Sequence, residues 1–145
     1  MRKPGVWDRC GCRPTSQLSQ YFAGDLTPEQ VLYQTNVENL VIAGARDPIQ
    51  GASELLASTR LDELLKYVRR RSPGALVLID LPPVLSTDEA LVVAPRIDAL
   101  FLVVSVGVTR RDGLARAIDM LGDFTVAGVI LNRSTEGLGT DYYGY

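Results

Sequence analysis

The chain has 145 residues, 46% of them hydrophobic and 22% charged, a balance that fits one globular domain and excludes collagen-like, disordered and disulfide-framework classes. Its 15 basic and 17 acidic residues leave a net charge of −2, which gives no electrostatic footprint for duplex nucleic acid, so no nucleic-acid partner is expected. The longest apolar run, residues 99–108, is broken by Ser105 and Gly107 and is about half of what a membrane-spanning helix needs; the amino end has no signal-peptide stretch, so a cytoplasmic location is expected.

Residues 1–14 hold Pro4, Gly5, Gly11 and Pro14 and read as an irregular lead-in. It contains Cys10 and Cys12 as C-G-C, two metal ligands where a structural zinc site needs about four. The chain has no His, which excludes Ser-His and Cys-His catalysis. The pattern predicts a short helix over 17–23 ended by Gly24. At Thr27-Pro28-Glu29-Gln30 a second helix should start, with Thr27 as cap, Pro28 in the first turn and Gln30 reaching back to the cap amide. Residues 39–43 read as a short apolar strand ending at Gly44.

A long helix is predicted over about residues 52–71, with Leu61, Leu64, Leu65 and Val68 on one stripe. Arg69, Arg70 and Arg71 crowd its last turn, where cations favour the helix dipole, and Ser72-Pro73-Gly74 stops it. Ala75-Leu76-Val77-Leu78-Ile79 is continuously apolar, the pattern of a strand buried on both faces. Ser86-Thr87-Asp88-Glu89 reads as a capping box for a helix over 87–94. Residues 99–106 read as another buried strand. Thr109 should cap a helix with Leu114, Ala117, Ile118 and Leu121 on its inner stripe, and residues 126–131 form the last strand. The order β-α-β-α-β-α-β from residue 39 to residue 132 predicts an α/β fold with a mostly parallel sheet flanked by helices and right-handed crossovers. Ligands in such folds bind beyond the carboxyl ends of the strands, which directs attention to Asp80–Pro83, Gly107–Thr109 and Asn132 onward.

Asp80 ends an apolar strand and is followed by Leu81-Pro82-Pro83. An apolar run closed by Asp is the Walker B pattern, in which the carboxylate helps hold Mg²⁺ directly or through water. The same pattern closes many α/β strands, where the carboxylate caps a turn. Asn132 ends the last predicted strand, where its amide has the donor and acceptor needed to read a nucleobase edge; a turn residue is the equally simple reading. The tail carries Tyr142, Tyr143 and Tyr145 beside Asp141. Exposed tyrosines at a mobile terminus are candidate phosphate acceptors, or a tail packed on a neighbour.

Taken in order, these segments resemble the cytoplasmic domain of the bacterial protein-tyrosine autokinases of exopolysaccharide and capsule synthesis, relatives of the septum-site and partition ATPases. Met1-Arg2-Lys3-Pro4 is similar to the end of that family's D-x-D-x-R-[RK]-P string. Residues 18–24 resemble its G-L-S-D-x-L-x-G stretch, with Gln17 in place of the leading Gly. Residues 40–44 and 52–56 resemble L-x-x-x-x-A-G and N-x-x-E-L-L. Ile79-Asp80-Leu81-Pro82-Pro83-Val84-Leu85 is similar to I-D-x-P-P-V-L, and Asp88–Leu91 and Asp98-Ala99 continue the match. The tyrosine-rich tail occupies the place of the family's autophosphorylated cluster.

The resemblance implies a P-loop NTPase-like fold of the deviant Walker type, with residues 1–136 as part of a kinase domain and 137–145 as a flexible tail. It implies ATP and Mg²⁺ as cofactors. Asp80 would organise Mg²⁺ and the attacking hydroxyl, Asn132 would contact adenine, Arg2 would lie near the phosphates, and Tyr142, Tyr143 and Tyr145 would be phosphoacceptors offered to a neighbouring subunit. It implies self-association through the tail, a membrane adaptor or polysaccharide co-polymerase as partner, and recruitment to the inner membrane by that partner.

The departure from the family is the phosphate loop. No G-x-x-x-x-G-K-[ST] occurs in the sequence and the D-x-D acids are missing, so the expectation is an amino-terminally truncated domain that lacks its first strand-helix unit, with Met1 an internal methionine. Without the loop's amides and Lys, most of the electrostatic stabilisation of phosphoryl transfer is lost, and the chain alone is expected to be inactive. The alternative is a non-catalytic binding module that regulates an intact tyrosine kinase. A fragment of a partition- or septum-type ATPase fits less well with Pro82-Pro83 and the tyrosine tail.

Overall fold

The structure is a computed structural model that describes Trp7, Cys10 and residues 17–45 and 49–134. The chain divides into two compact units, Met1–Asp80 and Leu81–Tyr145.

In the first unit, helix α1 (Leu18–Ala23) begins at Gln17, whose amide donates to Gln20 Oε1 at 2.9 Å, and ends at Gly24 with φ 99°. That left-handed end is the stop Gly provides without a Cβ clash. The second predicted helix is only one 3₁₀ turn, Glu29–Val31. Its start is as expected, with Thr27 N–H donating to Gln30 Oε1 at 2.8 Å, but the chain leaves it at Leu32 to form β1 (Tyr33–Gln34). This strand pairs antiparallel with β2 (Val41–Ile42). The strand expected over 39–43 is thus shorter, and its partner is a local hairpin strand rather than a parallel one.

The long helix is broken. Helix α2 (Ala52–Ala57) and helix α3 (Thr59–Arg71) meet at Ser58, whose ψ of 163° is extended. The Ser58 hydroxyl donates to Leu55 O at 2.6 Å, a local bond that competes with the helix ladder. Of the predicted α3 stripe, Leu61, Leu64 and Leu65 are buried and Val68 is half-buried; Tyr21, Phe22, Val31 and Trp7 are the other buried side chains of this unit. Each such buried side chain contributes about 1.5–3 kcal/mol. Tyr21 ties α1 to α3, donating its hydroxyl to Arg60 O at 2.7 Å while the Arg60 guanidinium lies 5.0 Å over its ring. Trp7 stacks edge-on against Tyr33 at 5.8 Å.

The segment Ala75–Ile79 departs most from expectation. It follows Gly74 (φ 86°) as predicted, but it is not a strand in this structure and is not buried. Leu76 is 82% and Leu78 79% exposed. A doubly buried strand needs a neighbour on each edge and a layer on each face; among the described residues no strand pairs with it.

In the second unit, helix α4 (Glu89–Val93) runs into a 3₁₀ turn, Ala94–Arg96. The predicted capping box does not close. Asp88 is the N-cap and makes no side-chain cap bond, and the buried atoms Thr87 Oγ1 and Glu89 Oε2 have no partner. Strand β3 (Leu100–Ser105) and strand β4 (Val126–Asn132) pair in parallel, joined through helix α5 (Arg111–Met120). The register places Val103 opposite Ile130 and Ser105 opposite Asn132, with an irregularity between Leu100 and Phe101. Thr109 does not cap α5. Arg110 is the N-cap, and Thr109 Oγ1 instead accepts from Ser105 N at 3.0 Å, closing the loop that turns at Gly107 (φ 73°).

Strand alternation sorts β3 into two faces. Leu100 and Leu102 pack on the core of Val84, Ala90, Ala117 and Leu121, whereas Phe101 and Val103 are 59% and 56% exposed. Of the predicted α5 stripe, Ala117 and Leu121 are core and Ile118 is 45% exposed.

Candidate functional site

Asp80 directly follows the Ala75–Ile79 segment, which has no regular secondary structure, and is exposed. After Leu81 come Pro82 and Pro83, which hold Leu81 out of the helical region, so no helix starts directly after Asp80. Asn132 is the last residue of β4, paired with Ser105 at the carboxyl ends of both strands. Its Oδ1 accepts from the Arg133 amide at 2.8 Å, and Arg133 has φ 61°. A non-Gly residue in the left-handed region is uncommon and often marks a functional turn. That bond to its own turn occupies one of the two lone pairs of the Asn132 amide oxygen. Arg2, Tyr142, Tyr143 and Tyr145 lie outside the described residues.

The residues present do not by themselves fit Mg²⁺. Among the described residues no group of three Asp, Glu, Cys or His side chains converges on a metal position. Mg²⁺ takes about six oxygens in octahedral array and is usually completed by substrate phosphates. Asp80 would supply one carboxylate to such a set and no more.

The second unit has a cavity of about 150 Å³ lined by Ile97, Asp98, Leu100, Asp123, Phe124 and neighbouring backbone. Leu100 opens β3 and Thr125 precedes β4, so this cavity sits at the amino ends of the strands. Ligands of open α/β sheets bind at the opposite end, and nucleotide-sized pockets are roughly 300 Å³ or more. The cavity therefore does not fit a nucleotide.

Electrostatics add two local features. In α5, Asp112 is held below the usual carboxylate range, first by a hydrogen bond from Arg110 at 3.0 Å. In the first unit, Arg71 Nη1 donates to both Tyr67 Oη and Glu29 Oε1, each at 2.9 Å. These bonds raise the Arg71 pKa, the Tyr67 bond more than the Glu29 one. Sequence reasoning missed this second cluster. Tyr67 and Arg71 are spaced i, i+4, which places them on one face, but Glu29 joins them only through the fold.

With this geometry in place, similarity to known proteins becomes informative. No protein-family model matches the chain. A tyrosine-protein kinase, CpsD of Streptococcus agalactiae, is 23% identical over 132 residues, covering 88% of this chain and 57% of that protein. The tyrosine-protein kinase wzc of Salmonella typhi is 28% identical over 148 aligned positions, covering all of this chain and 20% of that protein. The chain is homologous to the bacterial tyrosine kinases. Its fold is theirs as well. The kinase domain of VpsO superposes with a TM-score of 0.79 at 28% identity, over 92% of this chain and 66% of that one. The kinase domain of the Escherichia coli tyrosine kinase ETK gives 0.79 at 26% identity, over 99% of this chain and 56% of that one. The expected α/β, P-loop NTPase-like class with a parallel sheet is borne out. This kinase homologue spans about half the length of the CpsD-type relatives it matches.

Proposed function

We propose that this tyrosine-kinase homologue contributes the Asp80 loop, the Asn132 turn and the tyrosine tail to ATP-dependent tyrosine phosphorylation in exopolysaccharide or capsule synthesis. The observation that carries the reading is the superposition on two kinase domains over nearly the whole chain. In it Asp80 orients the hydroxyl that receives the phosphoryl group and contributes one oxygen toward Mg²⁺. Asn132 Nδ2 donates to an adenine acceptor, and Arg2 lies by the phosphates. Tyr142, Tyr143 and Tyr145 accept the phosphoryl group. Phosphorylation adds about −1.5 to −2 charges per tyrosine. Repeated in a short tail, it drives like charges apart and loosens a tail-mediated assembly. The partner in this reading is a membrane adaptor or polysaccharide co-polymerase that brings the chain to the inner membrane.

The 145 residues hold no G-x-x-x-x-G-K-[ST], and phosphoryl transfer depends almost wholly on the positioning and charge such a loop supplies. The chain by itself is therefore inactive in this proposal. A second reading is a non-catalytic module whose tail is phosphorylated by an intact kinase. Purified chain with Mg-ATP alone should show no phosphotyrosine by mass spectrometry; its appearance would refute the inactivity. Addition of an intact bacterial tyrosine kinase should label the tail. An unlabelled tail under those conditions would remove the module reading.

A further inference from the structure

We propose that Tyr67 is a second phosphorylation site, distinct from the tail, and that its phosphate releases the Glu29–Val31 turn from α3. The inference rests on the reading of this chain as a substrate of bacterial tyrosine kinases.

The geometry is that of a shared cation. Arg71 Nη1 holds Tyr67 Oη and Glu29 Oε1 at the same distance, 2.9 Å. Tyr67 is half-buried, and its oxygen meets a guanidinium whose side chain is 58% exposed; Glu29 is 70% exposed. The hydroxyl is thus at the surface. Arg70 and Arg71, three and four residues on from Tyr67 and so on its face of α3, are exposed on the last turn. A phosphate on Tyr67 would stand beside these two guanidinium groups, where it makes charge-assisted hydrogen bonds stronger than those of a neutral phenol. Arg71 would turn to the phosphate, and Glu29 would face a dianion of its own sign. The link that fastens the 3₁₀ turn to the end of α3 would then open. Because both elements lie in the first unit, the switch needs nothing from the second.

The step balances with ATP and an intact tyrosine kinase as co-reactants. Tyr67 Oη forms a bond to the γ-phosphorus. The bond from that phosphorus to the β,γ-bridging oxygen breaks, ADP leaves with the electron pair, and the phenolic proton passes to the kinase's base or to solvent.

The test uses the full chain, Mg-ATP and an intact bacterial tyrosine kinase, read by phosphopeptide mapping and by amide hydrogen exchange. The expected result is a phosphorylated Tyr67 peptide, absent in Tyr67→Phe, with exchange across residues 29–32 faster by about threefold, the size of one exposed ion pair. Glu29→Gln should reproduce the faster exchange without kinase, and the emission of Trp7 should confirm that each variant is folded. A labelled tail with an unmodified Tyr67 peptide overturns this inference and leaves the proposed function standing. No label anywhere overturns both. Phosphorylated Tyr67 with unchanged exchange at 29–32 overturns the release.

Discussion

Trp7 is the chain's single tryptophan, and its indole lies against Gly44. A Cβ built on Gly44 would sit 2.7 Å from Trp7 Cζ2 and 3.2 Å from Cε2. Since Trp7 is buried, the ring cannot swing clear without repacking. Gly44→Ala should therefore cost about 1–3 kcal/mol as an overpacked core. A lowered urea midpoint with red-shifted tryptophan emission is the expected outcome; an unchanged spectrum would mean the ring has room. From sequence, Gly44 reads as a strand terminator and Trp7 as part of an irregular lead-in. Their contact joins positions 37 residues apart in the chain, and no periodicity encodes such a pairing.

Tyr21 offers a pH-dependent test at the same scale. Burial first, and the Glu63 carboxylate second, push its hydroxyl above 10.0 against the opposing pull of Arg60. The unfolded chain then loses this proton first as pH rises. The stabilisation is whole below pH 10.0 and is lost as pH climbs through the raised folded value. Tyr21→Phe should remove that alkaline loss. At neutral pH the same variant should cost about 1–2 kcal/mol, because Arg60 O loses its hydrogen-bond donor. Chemical denaturation of both proteins near neutral pH and in alkali separates the two effects.

Among the elements, those with complete local signals formed as read. Gln17 and Gly24 bound α1, the leucine stripe of α3 is buried, and β3 and β4 run parallel within a residue of the expected ends. Capping signals were less decisive. Thr27 and Gln30 made their bond, yet only one 3₁₀ turn followed. Thr109 spent its hydroxyl oxygen on the β3 turn rather than on α5. A cap satisfies backbone groups at a helix start, but tertiary packing decides whether the helix continues. On α5 the burial of Leu121 at 3% exposure can be tested directly. Leu121→Ala should destabilise the second unit by about 2–5 kcal/mol, read as loss of exchange protection across β3 and β4.

For the whole molecule, the site residues were legible only in part. Asp80 and Asn132 stood out because each ends an apolar run. The structure places Asn132 at a strand end, but Asp80 follows a segment that pairs with no strand among the described residues. That segment carries the last prediction. Exposed apolar side chains on unpaired backbone template association with other chains. Leu76→Lys with Leu78→Lys should raise the soluble, monomeric fraction in sedimentation while changing stability by only about 0.5 kcal/mol, as for surface positions. A large loss of stability would instead show that the segment is packed in solution.

The amino-acid sequence by itself determined the α/β class, the helical stripes, the parallel pair and the likeness to tyrosine kinases. All of these rest on local periodicity and short ordered motifs. Only the tertiary structure decided that Ala75–Ile79 lies bare, that β1 and β2 form a hairpin, that the helix breaks at Ser58, and that Arg71 joins Glu29 to Tyr67. An apolar run states that a strand can be buried, but burial requires partners to hydrogen-bond its edges and cover its faces. Those partners are distant in the chain, so whether they are in place is a property of the folded molecule.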